Sequence, residues 1–322
     1  MPKNARPLDV LTVGEAMALF VADAPGPLSS VEKFTRTSAG AELNVAVGLS
    51  RLGLKVAYVS RVGQDLFGQF LINTLQTEGI DHQHVQVDAQ HPTGFMLKSC
   101  ELTGDDPKIE YFRKGSAASY MGLQDCPVNV FAQVRQLHVT GISVALSDSV
   151  RELVLHMVAQ ARVCGVQVSF DPNLRPRLWP SQAVMVQCLN AVAAQSDLVM
   201  PGLSEGQLLT GQHTPQDIAA YYLDHGAQQV VIKLGPQGAY FATHTAQGLV
   251  PGFQVERVVD TVGAGDGFAV GVISALLDGQ SLAEAALRGN AVGARVVQFR
   301  GDCEGLPNRT QLAQTLTGKR VG

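Results

Sequence analysis

Short β-branched runs alternate with helix-length amphipathic stretches along most of this chain, and that rhythm restricts its fold more than any other feature. "VAYVSRVG" (56–63) reads as a strand and "FGQFLINTLQTEG" (67–79) as the helix after it. "QLHVTGI" and "VQVSFD" flank "SVRELVLHMVAQARVCG", in which Leu153, Val154, Met157, Val158 and Ala161 keep helical spacing. "DLVMPG" predicts another strand, "PQDIAAYYLDHG" a helix and "QVVIKLG" a strand. Strands joined by helices of this length pair in parallel and need helices over both faces of their sheet. The expected fold class is therefore α/β with a mostly parallel sheet.

Two segments break the rhythm. Residues 15–38 and 93–114 lack helical period and contain strand-like runs such as "TGFMLKSCE" and "KIEYFR". In the second run Ile109, Tyr111 and Arg113 share one face, with Glu110 and Phe112 on the other. The intervening "ELTGDDPK" carries hairpin-turn chemistry. These segments predict a small antiparallel sheet inserted as a lid over a cleft, within one domain spanning residues 1–322.

A formal charge of −4 with no Lys/Arg block argues against nucleic acid or a membrane surface as partner. Five widely spaced cysteines without a C-x-x-C pair argue against a zinc site or a disulfide framework. The apolar run after Lys3 and Arg6 is cut at Gly14-Glu15, too short for a signal peptide. No stretch approaches the ~18 apolar residues that cross a bilayer. A cytoplasmic location is expected.

The strongest chemical signal is "DTVGAGDGFAVG" (260–271), where Gly263, Ala264 and Gly265 precede Asp266 and an apolar run. A glycine turn opening a helix presents free N–H groups to an anion. A carboxylate beside that anion can accept the proton of an attacking hydroxyl. Read by itself, the stretch fits equally a tight turn with Asp266 as an ordinary first-turn residue. It matches neither the P-loop pattern nor an early G-x-G-x-x-G, which counts against a dinucleotide-dependent oxidoreductase.

Extended to "DTVGAGDGFAVGVISALLDG", the same stretch resembles the C-terminal signature of the ribokinase-like (PfkB) carbohydrate kinases. "AGAELNVAVGLSRLGLKVAYVSRVGQDLFG" (39–68) resembles their N-terminal signature, and the resemblance runs over essentially the whole chain. It implies a three-layer α/β/α core with a small β lid, ATP as donor, Mg2+ as helper and phosphorylation of a primary hydroxyl. It implies Asp266 as catalytic base and Gly263, Ala264 and Gly265 as anion hole. Asp260 and Thr261 would lie near the phosphates and the monovalent cation (K+) site that some members use. "KLGPQGAY" (233–240) resembles the strand and turn that approach ATP, from Lys233 through Gly235 and Gly238. Asn290 falls on the helix that borders the adenine; read alone it would be a helix-surface asparagine. Family members often carry Asn-x-x-Glu after the strand matching "DLVMPG". This chain keeps Glu205, which the resemblance implies as a water-mediated Mg2+ contact, but has Gly202 in place of the asparagine.

For the acceptor, "SAGAELNVA" (38–46) resembles the family's sugar-binding segment, with Gly40 and Ala41 small and Glu42 and Asn44 polar. Glu15 ranks as a weaker acidic contact. "YFRKGSAAS" puts Arg113 on a lid strand and "FDPNLRPRLW" puts Arg175 and Arg177 in a loop, and two guanidiniums aimed into one cleft suit a carboxylate. Both segments resemble those of the 2-keto-3-deoxygluconate kinases. That implies Tyr111 and Arg113 on the sugar acid, Asn173 and Arg175 between substrate and ATP phosphates, and Asp302 as a substrate contact. Met96 stands where the subgroup can have tyrosine. The expected reaction is ATP-dependent phosphorylation of 2-keto-3-deoxygluconate on its 6-hydroxyl. Another sugar kinase of the family, such as a fructokinase or ribokinase, stays open as the alternative. Exposed lid edges predict a homodimer or higher homo-oligomer.

Overall fold

The computed structural model describes residues 6–101 and 107–321. The chain begins in the core with β1 (Leu8–Val13), leaves for the lid as β2 (Met17–Ala22) and β3 (Phe34–Ala39), and returns as β4 (Val56–Gly63) and β5 (Asp81–Asp88). It leaves again as β6 (Phe95–Lys98) and β7 (Ile109–Phe112). The core then takes β8 (Val134–Thr140), β9 (Gln167–Asp171), β10 (Leu198–Val199), β11 (Gln229–Lys233), β12 (Gly238–Thr243) and β13 (Gln247–Pro251). The large sheet runs β13-β12-β11-β10-β9-β8-β1-β4-β5. It is parallel from β5 to β11 and antiparallel only at the β12 and β13 edge.

The small sheet runs β3-β2-β6-β7. It is mixed rather than antiparallel, because β2 and β6 pair in parallel. β1 and β5 are parallel members of the core sheet, so the chain rises into the lid in the same direction both times. Of the expected "ELTGDDPK" turn, residues 102–106 lie outside the described residues. The strand expected in "DLVMPG" shrinks to Leu198 and Val199, since Pro201 has no N–H for a ladder.

Helices cover both faces of the core sheet. α1 (Ala41–Arg51) and α2 (Leu66–Thr77) begin one layer. The opposite layer is α3 (Gly141–Leu146), α4 (Asp148–Val163), α5 (Gln182–Ala193), α6 (Leu203–Thr210) and α7 (Pro215–Asp224). The first layer is completed by α8 (Ala264–Leu277), α9 (Leu282–Val296) and α10 (Arg309–Leu316). Each layer buries its own core against the sheet, Leu153, Met157 and Phe170 in one and Leu43, Leu71 and Ile273 in the other. α4 shows how the sequence sets this: Ser147 caps it by accepting from Val150 N, and the helically spaced Leu153, Val154, Met157, Val158 and Ala161 are all buried. No helix among the described residues is long and apolar enough to cross a membrane.

α8 is apolar on nearly all sides because it lies between the sheet and α9. At the α8–α9 crossing a Cβ on Gly271 would lie 2.5 Å from the Arg288 carbonyl oxygen and 2.6 Å from Gly289 Cα. Backbone cannot yield as a side chain can. Gly271→Ala should therefore lower stability by about 1–3 kcal/mol through overpacking, although alanine is the better helix former by about 1 kcal/mol. The midpoint of urea unfolding reads this out; an unchanged or higher midpoint would show that the helices can separate.

Candidate active site

The α8 N-terminus sits at the C-terminal end of the parallel strands, where α/β folds gather ligands. Its N-cap, Gly263, is left-handed with φ 81°, and a Cβ there would meet the Asp302 carbonyl oxygen at 2.6 Å. No side chain caps the helix. The first-turn N–H groups are thus offered, with the positive helix end, to an anion.

Asp266, in that first turn, is 7% exposed and faces a cavity of about 330 Å³. Asn44 Nδ2 donates to its Oδ2 at 2.7 Å and Asn173 Nδ2 to its Oδ1 at 3.4 Å. Cys303 Sγ donates to Asn44 Oδ1 at 3.0 Å and so fixes which end of the amide meets Asp266. Burial pushes the Asp266 carboxyl up to about 8, with Asp171 and Asp302 adding to the rise and Asn44 and Lys233 opposing it. Asn173 holds a left-handed backbone, φ 38°, which asparagine tolerates better than most residues.

The same cavity is walled by Gly40, Ala41, Glu42 and Asn44 from α1 and its cap, by Met96, Tyr111 and Arg113 from the lid, and by Asp302. Arg113 pairs with Glu15 at 2.5 Å, and Glu15 also accepts from Ser116 Oγ. Arg113 Nε is buried without a hydrogen-bond partner among the described residues. Glu15, ranked low from sequence, is therefore what orients the guanidinium. Glu42, which lines the cavity, is anchored through one oxygen: its Oε1 accepts from Thr140 Oγ1 at 2.7 Å and Ser143 Oγ at 2.5 Å, tying α1 to the β8–α3 junction. Arg175 lines the cavity, with NH1 donating to the Leu174 carbonyl at 2.8 Å, whereas Arg177 does not line it.

A second cavity of about 490 Å³ opens beside the first and shares Lys233, Thr261 and Gly265 with it. Gly235, Gly238, Ala264 and Asn290 line it together with apolar Phe253, Val255 and Val258. A Cβ on Gly235 would meet nothing within 4 Å, whereas one on Gly238 would lie 2.1 Å from the Val250 carbonyl oxygen. Gly238 is thus required by the hairpin as well as facing the cleft. Asn290 is buried, not on the helix surface, and its Nδ2 donates to the Val250 and Pro251 carbonyls at 3.1 and 3.2 Å. Asn173, expected between the substrate and the phosphates, lines the first cavity and not the second.

Lys233 stands at the junction. Its Nζ donates to both Asp171 oxygens, at 2.9 and 2.8 Å, with Glu205 Oε2 4.0 Å away. Burial works against the ammonium, but Asp171 and Glu205 outweigh it and hold its pKa above the ordinary value. Glu205 accepts from Gly202 N at 2.7 Å and Leu174 N at 2.8 Å, so it also closes α6 and fixes the Asn173–Arg175 loop.

Two adjoining cavities meeting at an uncapped helix N-terminus and a buried carboxylate are the geometry of a transfer between two bound molecules. Residues 8–309 match the description pfkB family carbohydrate kinase. The chain belongs to that family. It is 49% identical over 315 residues to a 2-dehydro-3-deoxygluconokinase of Bacillus subtilis (strain 168), covering 98% of this chain and 97% of that one. A solved PfkB protein from Polaromonas sp. JS666 is 49% identical with a TM-score of 0.88, over 95% of this chain and 99% of that one. An E. coli protein solved in complex with ATP and Mg2+ is 27% identical with a TM-score of 0.89, over 96% and 99% of the two chains.

The pfkB membership brings a metal ion into question. Among the described residues no cluster of three His, Cys, Asp or Glu side chains could cage a metal ion. Mg2+ commonly keeps several waters and takes one or two carboxylates plus substrate phosphates. Glu205, at the first cavity and hydrogen-bonded by neutral backbone N–H groups, fits that weaker demand, whereas both Asp171 oxygens already face the Lys233 ammonium. Asp171 and Lys98, which braces the site through Asp302, went unread in the sequence, as did the orienting role of Glu15. Lys98 did leave a signal, being a charge two residues from Met96 on the inward face of a lid strand, where alternation calls for an apolar residue.

Proposed function

We propose that the chain phosphorylates the terminal 6-hydroxyl of 2-dehydro-3-deoxygluconate (2-keto-3-deoxygluconate), with ATP as donor. One observation carries this reading: Asp266, Gly263 and Gly265 line the same cavity as Arg113, a lid residue with an unused buried N–H. The similarity to the Bacillus subtilis 2-dehydro-3-deoxygluconokinase supports it.

In this reading the nucleotide occupies the larger cavity, its adenine near Asn290 and its γ-phosphate at the α8 N-terminus. The sugar hydroxyl gives its proton to Asp266 as its oxygen bonds to the γ-phosphorus, and the bond to the ADP oxygen breaks. N–H groups of the 263–265 turn, Lys233 and Arg175 meet the charge on the moving phosphoryl group. Glu205 and the nucleotide phosphates would hold Mg2+, which would supply further charge neutralisation there. Arg113, oriented by Glu15, takes the carboxylate, with Tyr111, Asn44 and Asp302 on the hydroxyls. An ATP-consuming reaction suits the cytoplasm, and a homodimer joined through the lid edges β3 and β7 fits the half-exposed Phe112 there.

ADP release over a panel of keto-deoxy sugar acids, fructose and ribose tests the assignment. The acid should be preferred by ~10² or more in kcat/KM, the discrimination expected when a buried polar group is left unpaired by the wrong substrate. Faster turnover of fructose than of any acid would replace this reading with a fructokinase.

A further inference from the structure

Lys98 leaves the lid and ends in the core. It lies on β6 with a side chain 1% exposed, and its Nζ is 2.5 Å from Asp260 Oδ2 and 2.9 Å from Asp302 Oδ1. Both carboxylates belong to segments that shape the anion-binding turn. Asp260 opens the stretch leading into Gly263, and its Oδ1 accepts from Val262 N at 3.0 Å. The Asp302 backbone carbonyl is the group that forbids a side chain at Gly263. One ammonium therefore clasps the two strands of chain on either side of the α8 N-terminus and anchors them to the lid. Burial works against its charge, but Asp302 and Asp260 outweigh burial and keep it protonated.

Asp260 is also where the family resemblance leads one to expect a monovalent metal ion, and the residues present do not fit one. Its Oδ2 already faces a full positive charge and its Oδ1 is held by a backbone N–H. A second cation on that carboxylate would be pressed against the Lys98 ammonium where little water can screen the two. We infer that Lys98 is a built-in cation, taking the charge-balancing place of a monovalent ion beside the anion-binding turn and coupling that turn to the lid. The inference rests on the kinase reading above. Lys98 is a positioning residue in it, acting through Asp260 and Asp302 on the first-turn N–H groups of α8.

The test compares K+, NH4+ and tetramethylammonium chloride at constant ionic strength, reading both ADP release with the sugar acid and the unfolding temperature without substrates. Wild-type protein should show the same kcat and the same unfolding temperature in all three salts. Lys98→Ala should lose about 10- to 100-fold in kcat in tetramethylammonium, the usual effect of removing a group that positions an ion-like centre. K+ or NH4+ should restore much of that loss and raise the variant's unfolding temperature, with KM for the sugar changed less than kcat. Activation of the wild type by K+ would overturn the inference, as would a folded Lys98→Ala that is fully active or indifferent to every cation. Should Lys98→Ala not fold, the wild-type salt series still decides. Wild-type protein that turns over no sugar at all would remove the kinase reading instead, and the unfolding temperatures would still judge Lys98.

Discussion

Asp266→Asn should lower kcat by about 10²–10⁴-fold, the range for loss of a positioned general base, while affinity for sugar and nucleotide stays near wild type. Asparagine keeps the shape and can still accept from Asn44, but it cannot take the hydroxyl proton. The pH dependence sharpens the expectation. Burial raises the free-enzyme carboxyl to about 8, so wild-type kcat/KM should climb with pH and level off above about 8, and the variant should lack that rise. Stability should respond in the opposite sense. Between the ordinary aspartate value of 3.8 and about 8 the folded chain holds a proton that the unfolded chain has released. Stability is therefore lost as pH rises through that window. Asp266→Asn should be spared this loss and unfold at a higher temperature than wild type at pH 9 relative to pH 6. Near-wild-type kcat in the variant would remove Asp266 from the chemistry.

Arg113→Ala should cost the sugar acid about 10- to 10²-fold in kcat/KM, since hydrogen bonds to charged groups contribute about 1.5–3 kcal/mol, and should leave a neutral hexose almost unaffected. The complication is Glu15, which the truncation strands as a buried charge, a change that costs about 3–5 kcal/mol when one partner of a buried pair is removed. The double variant Glu15→Gln with Arg113→Ala removes the stranded charge and should recover stability without recovering acid turnover. Arg113→Lys keeps the charge but not the paired donors, so it should remain impaired on the acid. Equal losses on acid and hexose would show that Arg113 shapes the lid and does not read the carboxylate.

The layered core and the Asp266 turn were legible because both are written locally: a helical or alternating period, or six consecutive residues. Pairings made over long separations were not. The Asn44–Asp266 bond spans 222 positions, and nothing near Asn44 distinguishes an amide that holds a distant carboxylate from one that caps a helix. Glu15 looked minor because its value depends on Arg113, which arrives from a different lid segment. The anchoring of Glu42 was equally hidden, because the hydroxyls its Oε1 accepts from, Thr140 and Ser143, come from β8 and α3. The parallel β2–β6 pairing was missed for a related reason: strand direction in the lid follows from where β1 and β5 end in the core, which no local pattern records.

The lid is built from two excursions of the chain, and β7 spans only Ile109–Phe112, yet this short ribbon and the arginine after it help line the cavity that Asp266 faces. Asp266, the proton acceptor in the proposed reaction, is anchored on α8 instead. Evolution can accordingly exchange one acceptor for another by rewriting a handful of ribbon positions, with the reactive machinery left untouched. Relatives with unlike diets should diverge first along that ribbon and last along the opening turn of α8.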